Sequence, residues 1–342
     1  MYDSIIQQNK QQKNKGLNKG MLRNYPTIIE ILLLDQTTKQ NIFWATNNYQ
    51  SLGKYYSFSS PILSELLLMK NKRVILPRIK KNKTLKQIRL REMAEVFTPS
   101  WICNAQNNLI DSAWFGRKKT FNTEITRKDG SHTWKTNKEK IRFSKDKTWE
   151  KYVEDTRLEV SCGEAPYITS RYDTTTGEFI PIVDRVGLLD RKIRVINENC
   201  ENPKEWLKFI QTAYENIYAF EWQGDSLFLA REAMLLAFVD NYVYKFSKNP
   251  SIKKIETIAN IISWNVWQMD GIKGVIPNSC CEKNSEQLQF FGEEKKLPCP
   301  GCASDNLFEH TGIYCLINDW SLNDEQTGKK GKKIKFINLL NR

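Results

Sequence analysis

The chain has 342 residues, 40% of them hydrophobic and 27% charged, which suffices for packed cores and excludes a wholly disordered chain. A formal net charge of +13 and a pI near 9.2 favour a polyanionic partner such as nucleic acid. No stretch approaches the roughly 20 apolar residues of a membrane span, and no signal-like apolar segment follows the Lys-rich start. The expectation is a cytoplasmic protein with reduced thiols and no membrane partner.

Residues 1–24, rich in Gln, Asn and Lys, predict a disordered basic arm. Residues 25–91 read as an N-terminal accessory region. Ile28 to Leu34 predicts a helix there, and Arg73-Val74-Ile75-Leu76 a short strand ended by Pro77. The basic run Lys80, Lys81, Lys83, Lys86, Arg89 and Arg91 fits either a solvated helix face or a phosphate-contacting one.

Residues 92–275 carry alternating strands and helices, with insertions expected at 117–150 and 167–200. The first is polar and dense in Lys, an exposed insertion or hairpin bearing Trp134 and Trp149. Asn202-Pro203-Lys204-Glu205 caps a helix whose apolar face is Trp206, Phe209, Ile210, Ala213, Tyr214 and Ile217. A buried strand, Ile217 to Glu221, ends in an acid, and Gly224-Asp225 opens a second long helix. This alternation predicts an α/β fold with a parallel sheet that binds ligands beyond the carboxyl ends of its strands.

Four segments carry a resemblance: Glu95-Val96-Phe97-Thr98-Pro99; Leu158-Glu159-Val160-Ser161-Cys162-Gly163-Glu164; Tyr218-Ala219-Phe220-Glu221 with Leu229-Ala230-Arg231-Glu232; and Asn265-Val266-Trp267-Gln268-Met269-Asp270. In this order they resemble the adenine-specific DNA methyltransferases of bacterial restriction-modification systems, over roughly residues 95–275. The resemblance implies a Rossmann-like class I core that binds S-adenosylmethionine. Phe97, Thr98 and Pro99 would border the methionine, and Glu159, Cys162 and Gly163 would form the turn around it. Glu221 would take the ribose, and Asp270 would approach the adenine. Implied partners are double-stranded DNA, a partner subunit and a restriction endonuclease.

Three departures stand out. Ala165 occupies the family's closing glycine position, and Val160 replaces a proline. About 50 residues separate the turn from Tyr218, where a Rossmann unit places its second acid about 20 residues on. The catalytic Asn/Asp-Pro-Pro-Tyr/Phe motif occurs nowhere in the sequence, so base capture is expected on a separate polypeptide. No catalytic residue is therefore assigned here. The alternative is a non-catalytic DNA-binding or specificity subunit on a degenerate methyltransferase fold. An RNA-directed methyltransferase would share the core.

Residues 276–342 form a Cys-rich, zinc-ribbon-like extension with a basic tail. Cys299-Pro300-Gly301-Cys302 aims two thiolates at one ion, and the expected structural Zn2+ site is Cys281, Cys299, Cys302 and Cys315, with redox-active or buried thiols as the alternative. Whether Cys280, Cys281 or His310 completes it stays open at this level.

Overall fold

The computed structural model describes residues 25–68, 74–81, 83–93, 98–280, 283–284, 296–328 and 330–341. The expected basic arm, Phe97 and Cys281 lie outside them. No helix among the described residues is long and apolar enough to cross a membrane.

Helix α1 (Pro26–Leu33) has proline in its first turn, where the missing N–H is no loss, and it buries Ile28, Ile29, Leu32 and Leu33. The short α2 (Ser64–Leu68) follows. No strand forms over residues 74–77. Pro77 lacks a donor there, and the next N–H, of Arg78, goes to a side chain, Glu164 Oε1 (2.6 Å). Ile75 is nonetheless buried.

The basic run continues into α3 (Lys83–Met93) and does not present a uniform cationic face. Lys81 and Arg89 are buried instead, both against Asp225: Lys81 Nζ at 3.3 Å and Arg89 Nη1 at 2.9 Å from Oδ2.

After α4 (Ser100–Phe115), the polar segment forms an antiparallel hairpin, β1 (Asn122–Thr126) and β2 (His132–Thr136), with Thr126 opposite His132. Helix α5 (Trp149–Glu154) leads to β3 (Arg157–Glu159). The stretch 167–200, expected as an insertion, contains helix α6 (Leu188–Asn199). With α7 (Pro203–Glu215) it spans the crossover from β3 to β4 (Ile217–Glu221), the two helices packing on each other. Asn202 caps α7 as its sequence predicts, its Oδ1 accepting the Lys204 and Glu205 N–H groups. Helices α8 (Gly224–Phe246) and α9 (Ile252–Asn265) then lead to β5 (Val266–Gln268).

Strands β3, β4 and β5 pair parallel in that order, with Glu159 opposite Ala219 and Glu221 opposite Gln268. One face of this sheet, through Ile217, Ala219 and Val266, joins a large core with Trp206, Phe238 and Ile262, and Ile28 and Trp44 of the N-terminal region belong to that same core. The opposite face, Phe220 and Trp267, packs on Ile276, Cys315 and Ile317.

That second face is covered by the C-terminal region. A small ladder, β6 (Lys283–Asn284) with β7 (Lys296–Leu297), precedes α10 (Pro300–Ser304). The hairpin β8 (Leu316–Asn323) and β9 (Lys330–Lys335) follows. Tyr218 Oη donates to Asn318 O (2.9 Å), and Trp320 Nε1 to Asn265 Oδ1 (2.8 Å), fastening β8 to the sheet and to α9.

The fold is mixed helix and sheet, built on small sheets. The larger, doubly wound sheet that a Rossmann-like core implies is absent among the described residues, where the parallel sheet has three strands.

Candidate functional site

Where the parallel strands end, their carboxyl termini open a cavity of about 410 Å3 lined by Val160, Ser161, Phe220, Trp222, Met269, Asp270, Gly271, Ile272 and Lys273. Position follows from topology: β4 and β5 stop at one level, β3 stops two residues short of it, and the loops that leave them diverge. The lining is mainly apolar, with Asp270 and Lys273 as its charged members. Val160 and Ile272, 63% and 83% exposed, are strongly accessible apolar residues of that lining.

The turn after β3 has an unusual backbone. Ser161, Gly163 and Ala165 all have positive φ (52°, 55° and 58°), a region that non-glycine residues enter at roughly 1–2 kcal/mol each. Ala165 thus holds a glycine-type conformation, so the substitution noted in the sequence leaves this backbone geometry in place. Glu221 stabilises the turn: its Oε2 accepts the Gly163 N–H (2.8 Å) and its Oε1 the Gln223 N–H (3.1 Å). Burial raises the Glu221 pKa against the lowering effect of those two donors.

Of the seven described residues that the resemblance singles out, Asp270 lines the cavity. Its Oδ1 accepts the Ile272 and Lys273 N–H groups (3.0 and 3.2 Å), and its Oδ2 lies 3.9 Å from Lys273 Nζ. Burial drives the Glu159 pKa well up and Glu221 adds to the rise, against the lowering effect of the nearby Tyr167 and Ile168 N–H groups. Its Oε2 is buried without a hydrogen-bond partner among the described residues. Cys162 is a core side chain whose N–H pairs with Phe220 O (2.9 Å). Thr98 and Pro99 precede α4 and are tied to the same loop. Thr174 Oγ1 donates to Thr98 O (3.0 Å), and Asp173 Oδ2 accepts the Ser100 N–H (2.7 Å). Trp222, Phe220, Ile272 and Lys273 were not singled out from the sequence. An aromatic directly after the strand-ending acid was the available signal for Trp222.

A second constellation lies beside the cavity. The ligand atoms of Cys280, Cys299, Cys302 and His310 all fall within 4.8 Å of one another. His310 Nδ1 is 3.7 Å from Cys280 Sγ and 3.6 Å from each of Cys299 Sγ and Cys302 Sγ. A tetrahedral zinc with bonds of about 2.0–2.3 Å needs ligand atoms roughly 3.5–3.8 Å apart. This Cys3His cluster can hold a metal ion such as zinc.

The cluster differs from the expected Cys281, Cys299, Cys302 and Cys315 at two positions, since Cys280 and His310 belong to it and Cys281 lies outside the described residues. Cys315 is fully buried on the sheet, its Sγ donating to Gln268 O (3.4 Å), and His310 takes the fourth position. Cys315 directly precedes β8, where packing against Phe220 and Trp267 claims its side chain.

Local sequence shapes the knuckle. A Cβ on Gly301 would lie 2.6 Å from His310 N and 2.7 Å from its Nδ1, so only a bare residue lets the Cys299–Cys302 turn meet the histidine. Burial pushes the Cys299 thiol up, but the Thr311 N–H donated to Sγ (3.2 Å), with further donors, outweighs it and holds the thiol at about 5. A thiol ionised at neutral pH is what a metal requires.

Lys273 joins the two sites. It lines the cavity, its ammonium lies 3.9 Å from Asp270 Oδ2, and the negative charge of the Cys302 and Cys280 sulfurs, with Asp270, raises its pKa against burial. Three thiolates around a divalent ion would carry one net negative charge, which this lysine would offset. The backbone joins them too: Asp270 bridges Val275, Val275 bridges Tyr314, and Gly274 O accepts the Cys315 N–H (3.1 Å).

No protein-family model, curated protein or solved structure matches this chain.

Proposed function

We propose that this chain is the cofactor-binding subunit of a DNA adenine methyltransferase belonging to a restriction-modification system. The observation that carries the reading is the cavity at the carboxyl ends of three parallel strands, which joins Trp222 and Phe220 to the Asp270 carboxylate beside a turn with three positive-φ residues. Aromatic and aliphatic walls suit the faces of an adenine ring. A buried carboxylate with acceptor capacity left suits its exocyclic amine. The cavity lies within the size range of small-molecule sites, roughly 300–1,000 Å3.

The finer fold reading is a reduced class I core, in which the C-terminal hairpin covers the face that helices would otherwise take. When bound, S-adenosylmethionine supplies the methyl group, and this chain's residues hold and orient it. Because no Asn/Asp-Pro-Pro-Tyr/Phe segment occurs in the sequence, capture of the flipped adenine is assigned to a partner subunit, alongside a restriction endonuclease. Zinc is the metal proposed for the Cys3His cluster, on the grounds of its three sulfurs and one nitrogen.

A second reading is a DNA-binding scaffold that no longer binds the cofactor. It is favoured by the engagement of both Glu221 carboxylate oxygens with backbone N–H groups, and by the presence of Asp270 alone, among the seven described motif residues, in the cavity lining.

Isothermal titration of S-adenosylmethionine into the chain, with and without a partner subunit bearing Asn-Pro-Pro-Tyr, separates the two. The first reading expects saturable binding that weakens about tenfold or more in Asp270→Ala and Trp222→Ala. Absence of binding in both settings, or equal affinity in the variants, overturns it and leaves the scaffold reading.

A further inference from the structure

We propose that residues 117–147, the β1–β2 hairpin and the loops on either side of it, form a docking surface for the phosphate backbone and major groove of duplex DNA. This deepens the functional reading by giving its proposed polymer a place on the chain.

The first ground is charge. The segment has eleven Lys and Arg residues against four Asp and Glu. It supplies about half of the net +13 in about a tenth of the length. All eleven basic side chains are exposed. Lys118, Lys119, Arg127, Lys128, Lys135, Lys138, Lys140, Arg142 and Lys145 form no salt bridge among the described residues, whereas Arg117 and Lys147 lie over the Phe115 and Trp114 rings. Two of the acids serve local bonds: Asp129 accepts from Ser131 N (2.9 Å), and Glu124 from Asn108 Nδ2 (2.8 Å). The basic run at Lys80–Arg91 is no rival for this role, because Lys81 and Arg89 face the interior.

The second ground is preorganisation. The root of the hairpin is locked: Asn104 and Asn122 exchange side-chain hydrogen bonds (2.9 and 2.8 Å), and Thr136 Oγ1 donates to Asp184 Oδ1 (2.7 Å). Arg194 Nη2 donates to Asn137 O (2.6 Å) just beyond β2. Trp101 stacks on His132 with ring centroids 4.2 Å apart, setting the hairpin against the first turn of α4. Charges on a fixed support need little ordering on binding, unlike those of a polar tail.

The third ground is shape. A two-stranded antiparallel ribbon fits the major groove of B-form DNA, about 12 Å wide, whereas the major groove of A-form RNA is deep and narrow. Duplex DNA is therefore the favoured polyanion.

The test is fluorescence anisotropy of the full chain with a 30-base-pair DNA duplex across a salt series. The variant replaces Arg127, Lys128, Lys138 and Lys140 with Gln. Its control carries Lys204→Gln, Lys208→Gln, Lys248→Gln and Lys253→Gln, removing equal charge from α7, α9 and the loop before α9. A second hairpin variant, Lys118→Gln with Lys145→Gln, guards against a local folding defect, and thermal unfolding monitors each protein.

The hairpin variant is expected to lose at least about tenfold in affinity at 0.1 M salt, with the slope of log K against log salt shallower by about 2–4. The control is expected to change little. Equal losses in hairpin and control, an unchanged slope in both hairpin variants, no binding of DNA by the chain, or tighter binding of a matched RNA duplex would each overturn the proposal. Titration of S-adenosylmethionine into the hairpin variant keeps the two proposals apart: cofactor binding intact with DNA binding unaffected sinks this one alone.

Discussion

Asp225 shows how far a single side chain departs from what its neighbours in sequence announce. It opens α8, yet its carboxylate is fully buried and receives Arg89, Lys81 and the Tyr49 hydroxyl (2.8 Å). Burial alone would raise its pKa, but Lys81 and Arg89 outweigh that and hold it far below the ordinary carboxylate value of 3.8. A depressed acid contributes stability that is complete above its unfolded pKa and lost as pH falls through the folded one. Asp225→Asn is therefore expected to cost about 3–5 kcal/mol at pH 7 in urea unfolding, because two buried cations lose their counter-charge. Below about pH 3 the gap to the parent chain should narrow. A cost under about 1 kcal/mol would show that the cluster tolerates its own charge. The basic run was legible in sequence, but its direction was not: Lys81 and Arg89 point inward because a carboxylate more than a hundred residues away waits there.

At the scale of elements, the Cys3His knuckle and the cavity loop behave as one unit. Lys273 pairs with Asp270 and carries its charge toward the cysteine cluster, whose sulfurs raise its pKa, and the 270–276 loop pairs with Tyr314 and Cys315. With zinc in the cluster as proposed, Cys302→Ser is expected to abolish stoichiometric zinc binding, and that variant or a chelator is expected to raise hydrogen exchange tenfold or more over residues 270–276 as well as 299–315. Faster exchange confined to 299–315 would mean that the knuckle does not support the cavity. The Cys-Pro-Gly-Cys turn was visible in sequence because its spacing alone brings two sulfurs together, for a metal or for redox chemistry. The third and fourth ligands were not, since Cys280, Cys281, His310 and Cys315 are equivalent until packing buries Cys315 under the sheet. The start of helix α7 was readable to the residue, because its cap is a local property, but the apolar spacing ran on to Ile217, which instead opens β4.

For the whole molecule, the C-terminal hairpin is a layer of the fold. Ile317 packs with Phe220, Trp267 and Cys315 on the sheet face opposite the helices. Ile317→Ala should lower stability by about 2–4 kcal/mol within a single cooperative transition, read by both far-ultraviolet circular dichroism and tryptophan fluorescence. Two separated transitions would show the hairpin to be an independent unit. By itself the sequence determined the start of helix α7, the strand ending at Glu221 and the Cys-Pro-Gly-Cys turn, because caps, periodicity and short-range spacing act over a few residues, while it left 117–150 as either an insertion or a hairpin. Only the tertiary structure decided that the 167–200 stretch contributes a crossover helix and that Glu221 ties its own turn. It likewise brought His310, and not Cys315, to the cysteine cluster, because long-range packing and competition for buried partners set those outcomes.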